Sequence, residues 1–138
     1  ALLTSIDASG QKTWTGATST SWVTSTNWSP AGAPAATDNV TIPSAPANQP
    51  LISGTSTPVC KNLTVNDGAT LTISCTSSNN ALLTASGNSI INGSLSIGGH
   101  YTHTGALTVA NIIWASGSSM SGGINGSINV SGNWEFAT

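Results

Sequence analysis

Leu63-Thr64-Val65 and Leu71-Thr72-Ile73, joined by Asn66-Asp67-Gly68-Ala69, form the stretch that decides the fold. Each triplet has an apolar residue on either side of a polar one, which is the period-two pattern of a strand with one buried face. The joining residues favour turns, because Gly accepts a positive φ and Asn and Asp bond to nearby backbone. Similar triplets recur at residues 95–97, 107–109 and 128–130. The sequence therefore predicts short strands separated by small polar corners.

The spacing of the apolar residues indicates a repeat. One aligned series has steps of 20, 24 and 21 residues, and a second has steps of 20 and 21. Two interleaved series with a common step of roughly 20 residues are typical of successive coils of a parallel β-helix. We therefore predict an all-β fold, a right-handed parallel β-helix (β-solenoid) with a Trp-rich N-terminal cap. The first series is Leu63, Leu83, Leu107 and Ile128, and the second is Leu71, Ile91 and Ile112.

The composition excludes several classes of function. Only 4% of the residues are charged, against about 25% in typical globular proteins. With two Lys and no Arg, the chain has no basic track for nucleic acid and no polybasic patch for anionic lipid. No apolar run approaches the length of a membrane span, so we expect no membrane insertion. A surface made of Ser, Thr, Asn and Gly is typical of secreted proteins. We therefore expect an extracellular or cell-surface protein whose numbering starts after a removed signal peptide.

The length of 138 residues predicts one domain. We divide it into an N-terminal strand at 1–9, a Trp- and Pro-rich cap region at 10–58 and solenoid coils at 59–138. The N-terminal strand either covers the core of its own subunit or adds to the open edge of a neighbour. The second option leaves an alternative fold open, a β-sandwich resembling a pilin that a neighbour's donor strand completes.

Three tryptophans, Trp14, Trp22 and Trp28, lie within 15 residues of sequence. A β-helix has an open end whose apolar core must be covered, and large flat side chains cover it well. The favoured interpretation is therefore a cap. The alternative is a carbohydrate-binding platform, because exposed indoles stack on sugar rings, and surface glycans would then be partners.

The tryptophans lie in a recognisable pattern. Trp14-Thr15-Gly16-Ala17 is followed by Asn27-Trp28-Ser29 and by Val40-Thr41-Ile42-Pro43. With the Leu-Thr-Val and Leu-Thr-Ile strands that follow, the pattern resembles a module of large secreted, adhesin-like surface proteins of Bacteroidetes-type bacteria. The resemblance spans roughly residues 13 to 136. It implies a location and an architecture, and it implies no catalytic residue.

The two cysteines, Cys60 and Cys75, flank a pair of predicted strands. In an oxidising compartment we expect them to form a disulfide, which the chain-entropy model values at up to about 3 kcal/mol for so short a loop. The alternative is two buried free thiols.

The titratable residues do not form an enzyme site. His100 and His103 are three apart, so on a strand they would face opposite sides, and a solvated turn is the favoured interpretation. The four acids are far apart in sequence, and no nucleophile, paired-carboxylate or phosphate-loop motif is present. We expect no enzyme, no metal and no cofactor. Six Asn-x-Ser/Thr acceptor motifs occur, at Asn27, Asn39, Asn62, Asn92, Asn125 and Asn129.

The C-terminal stretch predicts how the protein is used. Residues 131–136 read as a strand with Trp134 and Phe136 on one face, and the sequence ends two residues later. A solenoid with an open end presents an unpaired edge and an apolar cross-section, which favour self-association. We therefore expect a structural subunit of an extracellular filament or adhesive fibre, joined head-to-tail to copies of itself. The expected assembly interface is Leu2, Leu3 and Ile6 at one end, and Trp134 and Phe136 at the other.

Overall fold

The computed structural model describes residues 10–74, 81–103, 107–115, 119–122, 128–130 and 134–137. Within these ranges the protein is all-β, with fourteen strands and one short 3-10 helix. The strand predicted at residues 1–9 lies outside the described residues. The strands are β1 (Gln11–Trp14), β2 (Trp28–Ser29), β3 (Asn39–Ile42), β4 (Leu51–Ser53), β5 (Val59–Cys60), β6 (Leu63–Val65), β7 (Thr70–Ser74), β8 (Leu82–Ala85), β9 (Ser89–Gly98), β10 (His100–His103), β11 (Leu107–Ala115), β12 (Ser119–Gly122), β13 (Ile128–Val130) and β14 (Trp134–Ala137), and the helix is Ser25–Asn27.

The strands stack in three faces to form a β-solenoid. Face 1 contains β1, β3, β6, the first half of β9, the first half of β11, and β13. Face 2 contains β4, β7, the second halves of β9 and β11, and β14. Face 3 contains β5, β8, β10 and β12. All of these strand pairs are parallel, which confirms the predicted parallel β-helix and excludes the antiparallel pilin-like sandwich.

The register of face 1 corrects the predicted repeat. Leu63 pairs with Ser89, Ser89 with Leu107 and Leu107 with Ile128. The steps are therefore 26, 18 and 21 residues. Leu83, which the sequence placed in this series, lies on β8 in face 3. The error arose because an apolar-polar-apolar triplet looks the same on every face of the solenoid.

Face 2 shows a second correction with a physical reason. Leu71 pairs with Leu95, and Leu95 with Ile112, whereas Ile91 pairs with Val65 in face 1. The corner between faces 1 and 2 varies in length: it takes residues 43–50 between β3 and β4, 66–69 between β6 and β7, 92–93 within β9 and 110 alone within β11. Because the connections between strands vary in this way, the coils do not keep one length, and a fixed step does not predict the stacking.

Alternation along the strands builds the core. On β6 and β7 the apolar members of both triplets are buried, and the threonines between them are half-buried. Stacking continues each buried position from coil to coil, so that Ile52, Ile73 and Ile97 form one row across face 2. Because this row repeats the same apolar side chain, each of these coils supplies apolar surface that its neighbour buries.

An asparagine ladder follows the corner between faces 3 and 1. Asn62 Nδ2 donates to Asn39 Oδ1 over 2.8 Å, and Asn62 Oδ1 accepts from the backbone N–H of Asn88 over 2.8 Å. The backbone N–H groups of Val40 and Leu63 donate to the carbonyl oxygens of Asn62 and Asn88. These bonds join three successive coils where the sheets end. The corner therefore has its own polar pairing beside the ladder of the sheets.

The histidine stretch differs from its prediction. Residues His100–His103 form strand β10 and not a solvated turn. His100 pairs with the half-buried Leu82, and His103 is in register with the buried Ala85. The stretch is a strand because both neighbours, β8 and β12, offer it parallel hydrogen-bonding edges.

Candidate functional site

The N-terminal end of faces 1 and 2 is covered by short segments that pair through the backbone. β1 pairs in parallel with β3 on one side and antiparallel with the two-residue β2 on the other. On face 2 a bridge between Ser21 and Leu51 covers the free edge of β4. Short strands and a following proline, here Pro30, are common devices that protect a sheet edge from further pairing. The edge of this end is therefore formed by short segments, and β2, the outermost strand of face 1, is only two residues long.

The three tryptophans of the cap are packed together inside this end. Trp14, Trp22 and Trp28 are only 0%, 1% and 3% exposed. Trp28 meets both others edge-on, with ring centroids 5.0 Å from Trp14 and 4.7 Å from Trp22. Trp14 and Trp22 lie 6.4 Å apart with nearly parallel rings. The Trp-rich cap is thus the buried end of the core, as the favoured interpretation predicted.

Burial of the indoles bears directly on the carbohydrate alternative. A sugar platform needs an exposed indole face, and none of Trp14, Trp22 and Trp28 presents one. Two of the indole N–H groups are also used internally. Trp14 Nε1 donates to the Asn48 carbonyl oxygen over 2.7 Å, and Trp28 Nε1 donates to the Trp22 carbonyl oxygen over 2.7 Å. The cluster acts as packing and not as a ready binding surface.

Asn27 organises the loop that carries the tryptophans. Its side chain is fully buried. Oδ1 accepts from the backbone N–H groups of Thr18 and Ser19 over 2.9 and 3.0 Å. Nδ2 donates to Ser19 Oγ and to the Ser21 carbonyl oxygen, both over 2.9 Å. One amide therefore fills four hydrogen-bonding positions and holds residues 18–21 against the cap.

Gly16 explains part of the Trp-x-Gly motif. Its φ is +59°, and a Cβ placed there would lie 2.4 Å from the Asn48 carbonyl oxygen. The Asn48 side chain returns the contact, since Nδ2 donates to the Gly16 carbonyl oxygen over 2.6 Å. Gly is required here because the backbone is left-handed and packed against another backbone.

The C-terminal end of the solenoid is arranged differently. Among the described residues β13 and β14 pair only with β11, and β12 pairs only with β10. The outer backbone edges of these three strands therefore have no strand partner within the described part of the chain. Trp134 is in register with Ile112, and Phe136 is in register with Trp114.

The five residues predicted as an assembly interface divide between the two ends. Trp134 and Phe136 lie on β14 in the last described coil. Leu2, Leu3 and Ile6 lie outside the described residues. Trp134 and Phe136 thus lie on a strand whose outer edge has no strand partner among the described residues, and the interface itself stays a prediction.

Comparison with protein families matches residues 13–109 to DUF8693, a domain of unknown function. The chain belongs to the DUF8693 family. The match begins in β1 and ends in the face 1 half of β11, so it spans the cap and the coils stacked on it. No curated protein and no solved structure matches this DUF8693 domain. The match does not address the resemblance to Bacteroidetes-type surface proteins, which stays an expectation.

Cys60 of the DUF8693 domain is a free thiol, and the structure has no disulfide at this position. Cys75, its predicted partner, lies outside the described residues. The Cys60 side chain is buried in the core, in register with Ala85 of the next coil, and it packs as a small apolar group. Burial raises the pKa of the Cys60 thiol to about 12. The group is therefore protonated and unreactive at neutral pH.

Other chemistry is sparse across the described ranges. No three His, Cys, Asp or Glu side chains among them come close enough to hold a metal ion. Lys12 is used structurally, since its Nζ donates to the carbonyl oxygens of Pro30 and Ala31 over 3.0 and 3.2 Å. No helix in the described part of the chain is long and apolar enough to span a membrane.

Sequence reasoning missed Asn27 and Asn48 as organising residues of the cap. Asn27 belongs to the Asn-Trp-Ser triplet, but nothing in the triplet indicates that its amide is buried. Asn48 has no local signal, because its role depends on Gly16, which is 32 residues away.

Proposed function

We propose that this DUF8693 domain is a structural subunit of an extracellular filament or surface-adhesive fibre. Copies of the chain join head-to-tail, and the joint forms at the C-terminal end of the solenoid. The partner is therefore the protein itself. Surface glycans are partners only under the carbohydrate-binding alternative.

One observation carries the proposal: the difference between the two ends. At the N-terminal end of faces 1 and 2, the two-residue β2 covers β1 and the Ser21 bridge covers Leu51, whereas β5 of face 3 pairs only with β8 among the described strands. At the other end the described strands β12, β13 and β14 have a partner on one side only. An unpaired strand edge is a template for another chain, and the backbone hydrogen bonds it offers are independent of sequence.

The joint uses an added strand. Residues 1–9 of one subunit pair with the edge of β14 in the next, and Leu2, Leu3 and Ile6 pack against Trp134 and Phe136. Such a contact joins two different surfaces, so it propagates into a fibre unless its rotation closes a ring. Because the net charge is only −2, little electrostatic repulsion opposes the approach of two copies.

Negative-stain electron microscopy of the purified full chain tests the proposal. We expect filaments in the full-length protein and none in a variant that lacks residues 1–9. The double variant Trp134→Ser with Phe136→Ser should also fail to assemble. Val23→Ser is the matched control, since it removes an apolar side chain that is 54% exposed on the cap and should leave filaments intact.

The outcomes separate the hypotheses. Circular dichroism must show β structure in each variant, so that loss of filaments is not loss of folding. Filaments that persist without residues 1–9 would show that the subunits join by direct end-to-end stacking and not by strand exchange. Monodisperse full-length protein would reject the filament subunit. Glycan-array binding by such a monomer would support the carbohydrate-binding alternative, with a surface other than the buried indoles.

A further inference from the structure

The six Asn-x-Ser/Thr motifs are not equivalent in the folded protein. Four of them, at Asn27, Asn39, Asn62 and Asn92, have side chains that the structure describes. An attached glycan is bulky and must project into solvent, so the fold has to leave the acceptor amide accessible. Burial and hydrogen bonding therefore rank these four asparagines.

Asn27 is fully buried, and both of its amide atoms are used in the loop at residues 18–21. Asn39 and Asn62 are half-buried and bond to each other in the corner ladder. Asn62 is also crowded, because a Cβ on Gly87 would lie only 2.1 Å from its Oδ1. The fold itself thus accounts for the asparagine at all three positions.

Asn92 differs from these three. Its side chain is exposed at the corner where β9 passes from face 1 to face 2, and it takes no part in the bonds that hold the others. The next residue is fixed by packing, since a Cβ on Gly93 would lie 2.1 Å from the Ala69 carbonyl oxygen. The backbone N–H of Ser94 donates to that same oxygen over 3.0 Å. Gly93 and Ser94 have structural roles here, and the Asn92 amide is left facing solvent.

We propose that Asn92 is an acceptor site for an N-linked glycan. The inference rests on the extracellular location in the proposed function, because the donor is found on the secretory route. Asn92 Nδ2 forms a bond to C1 of the first sugar of a lipid-diphosphate-linked oligosaccharide. The bond from C1 to the phosphate oxygen breaks, the lipid diphosphate leaves, and one amide proton passes to the transferase base. The glycan then projects from the outer corner and leaves the sheet ladders and the core unchanged.

The test uses the full chain, secreted from cultured eukaryotic cells behind a cleaved signal peptide. Peptide mass mapping before and after an N-glycan-cleaving enzyme reports occupancy at each asparagine. We expect a glycan on Asn92 and none on Asn27, Asn39 or Asn62 in the folded, secreted protein. Asn92→Gln and Ser94→Ala should each abolish the signal at residue 92. Ser94→Thr, which keeps the acceptor motif, should retain it and is the matched control for Ser94→Ala.

An unmodified Asn92 in secreted, folded protein would overturn the inference. Occupancy of Asn39 or Asn62 in folded protein would overturn the ranking by burial. Neither result depends on polymerisation, because electron microscopy of the same preparations reports assembly separately. Failure of the glycan site and failure of the filament are therefore distinguishable.

Discussion

Trp14 Nε1 donates a 2.7 Å hydrogen bond to the backbone carbonyl oxygen of Asn48, 34 residues further along the chain. The bond joins the end of β1 to the long corner between β3 and β4. The Asn48 side chain bonds back to Gly16, so the two contacts form a closed pair. The cap is thereby attached to the following coil by specific polar contacts as well as by indole packing. A cap held in this way has defined points of failure, and each can be tested.

Gly16→Ala tests the closest of these contacts. The new Cβ would meet the Asn48 carbonyl oxygen at 2.4 Å in a left-handed backbone conformation. We expect a loss of about 2–4 kcal/mol in the free energy of unfolding, from backbone strain together with displacement of Asn48. Chemical denaturation followed by tryptophan fluorescence measures it.

Gly54→Ala is the matched control for that change. Gly54 also has a positive φ, +71°, but a Cβ there would meet nothing within 4 Å. Gly54→Ala should therefore lower the free energy of unfolding only through backbone strain, by about 1–2 kcal/mol. Equal losses in the two variants would mean that the contact between Gly16 and Asn48 contributes nothing.

Asn27→Asp tests the organising role of the buried amide. The change keeps the shape but removes the two N–H donors to Ser19 Oγ and the Ser21 carbonyl oxygen, and it places a carboxylate beside them. Because a buried polar group that loses its partner costs about 1–3 kcal/mol, we expect a loss of roughly 3 kcal/mol or more in unfolding free energy. Asn92→Asp, at an exposed position, should stay within about 0.5 kcal/mol of the parent. A small effect at residue 27 would show that the loop holds without its amide.

Because of the buried Cys60 thiol, we expect the protein to lose stability at alkaline pH. Its pKa rises from 9.0 to about 12 on folding because the thiolate is desolvated. Above pH 9.0 the unfolded chain releases this proton while the folded chain retains it, so the folded state binds more protons. The Cys60 contribution is therefore fully present below pH 9.0 and is lost as the pH rises towards 12. The free energy of unfolding falls by at most about 1.4 kcal/mol for each pH unit in this range.

Comparison of Cys75→Ser with the double variant Cys60→Ala and Cys75→Ser isolates the contribution of the Cys60 thiol to the free energy of unfolding. Urea unfolding between pH 8 and pH 11 should show a stability difference that narrows or reverses as the pH rises. A difference that is independent of pH would contradict the assigned burial of the thiol. Alkylation of Cys60 in the folded protein should also be far slower than in urea.

The sequence contained enough information for the strand orientation but not for the stacking order. Alternation depends only on neighbours in the chain, so the inward direction of Leu63 and Val65 could be predicted from one triplet. Stacking depends on corner lengths, which local patterns do not encode. In one coil the core position aligned with Leu63 and Leu107 is the buried polar residue Ser89, so a search for apolar residues does not find that coil. Asn27 was missed for a similar reason, since its burial follows from a loop that folds around it.

The orientation of β7 gives the last prediction. Ile73 is fully buried between Ile52 and Ile97, whereas the adjacent Thr72 is half-buried on the outward side. Ile73→Ala removes a side chain that contacts the coils on both sides, and it should cost about 2–5 kcal/mol of unfolding free energy. Thr72→Ala should cost less than about 1 kcal/mol, because it changes an outward position of the same strand. Urea unfolding of the two variants measures both losses of unfolding free energy. A larger loss at residue 72 would place β7 one residue out of register and would turn every side chain of the strand to the opposite face.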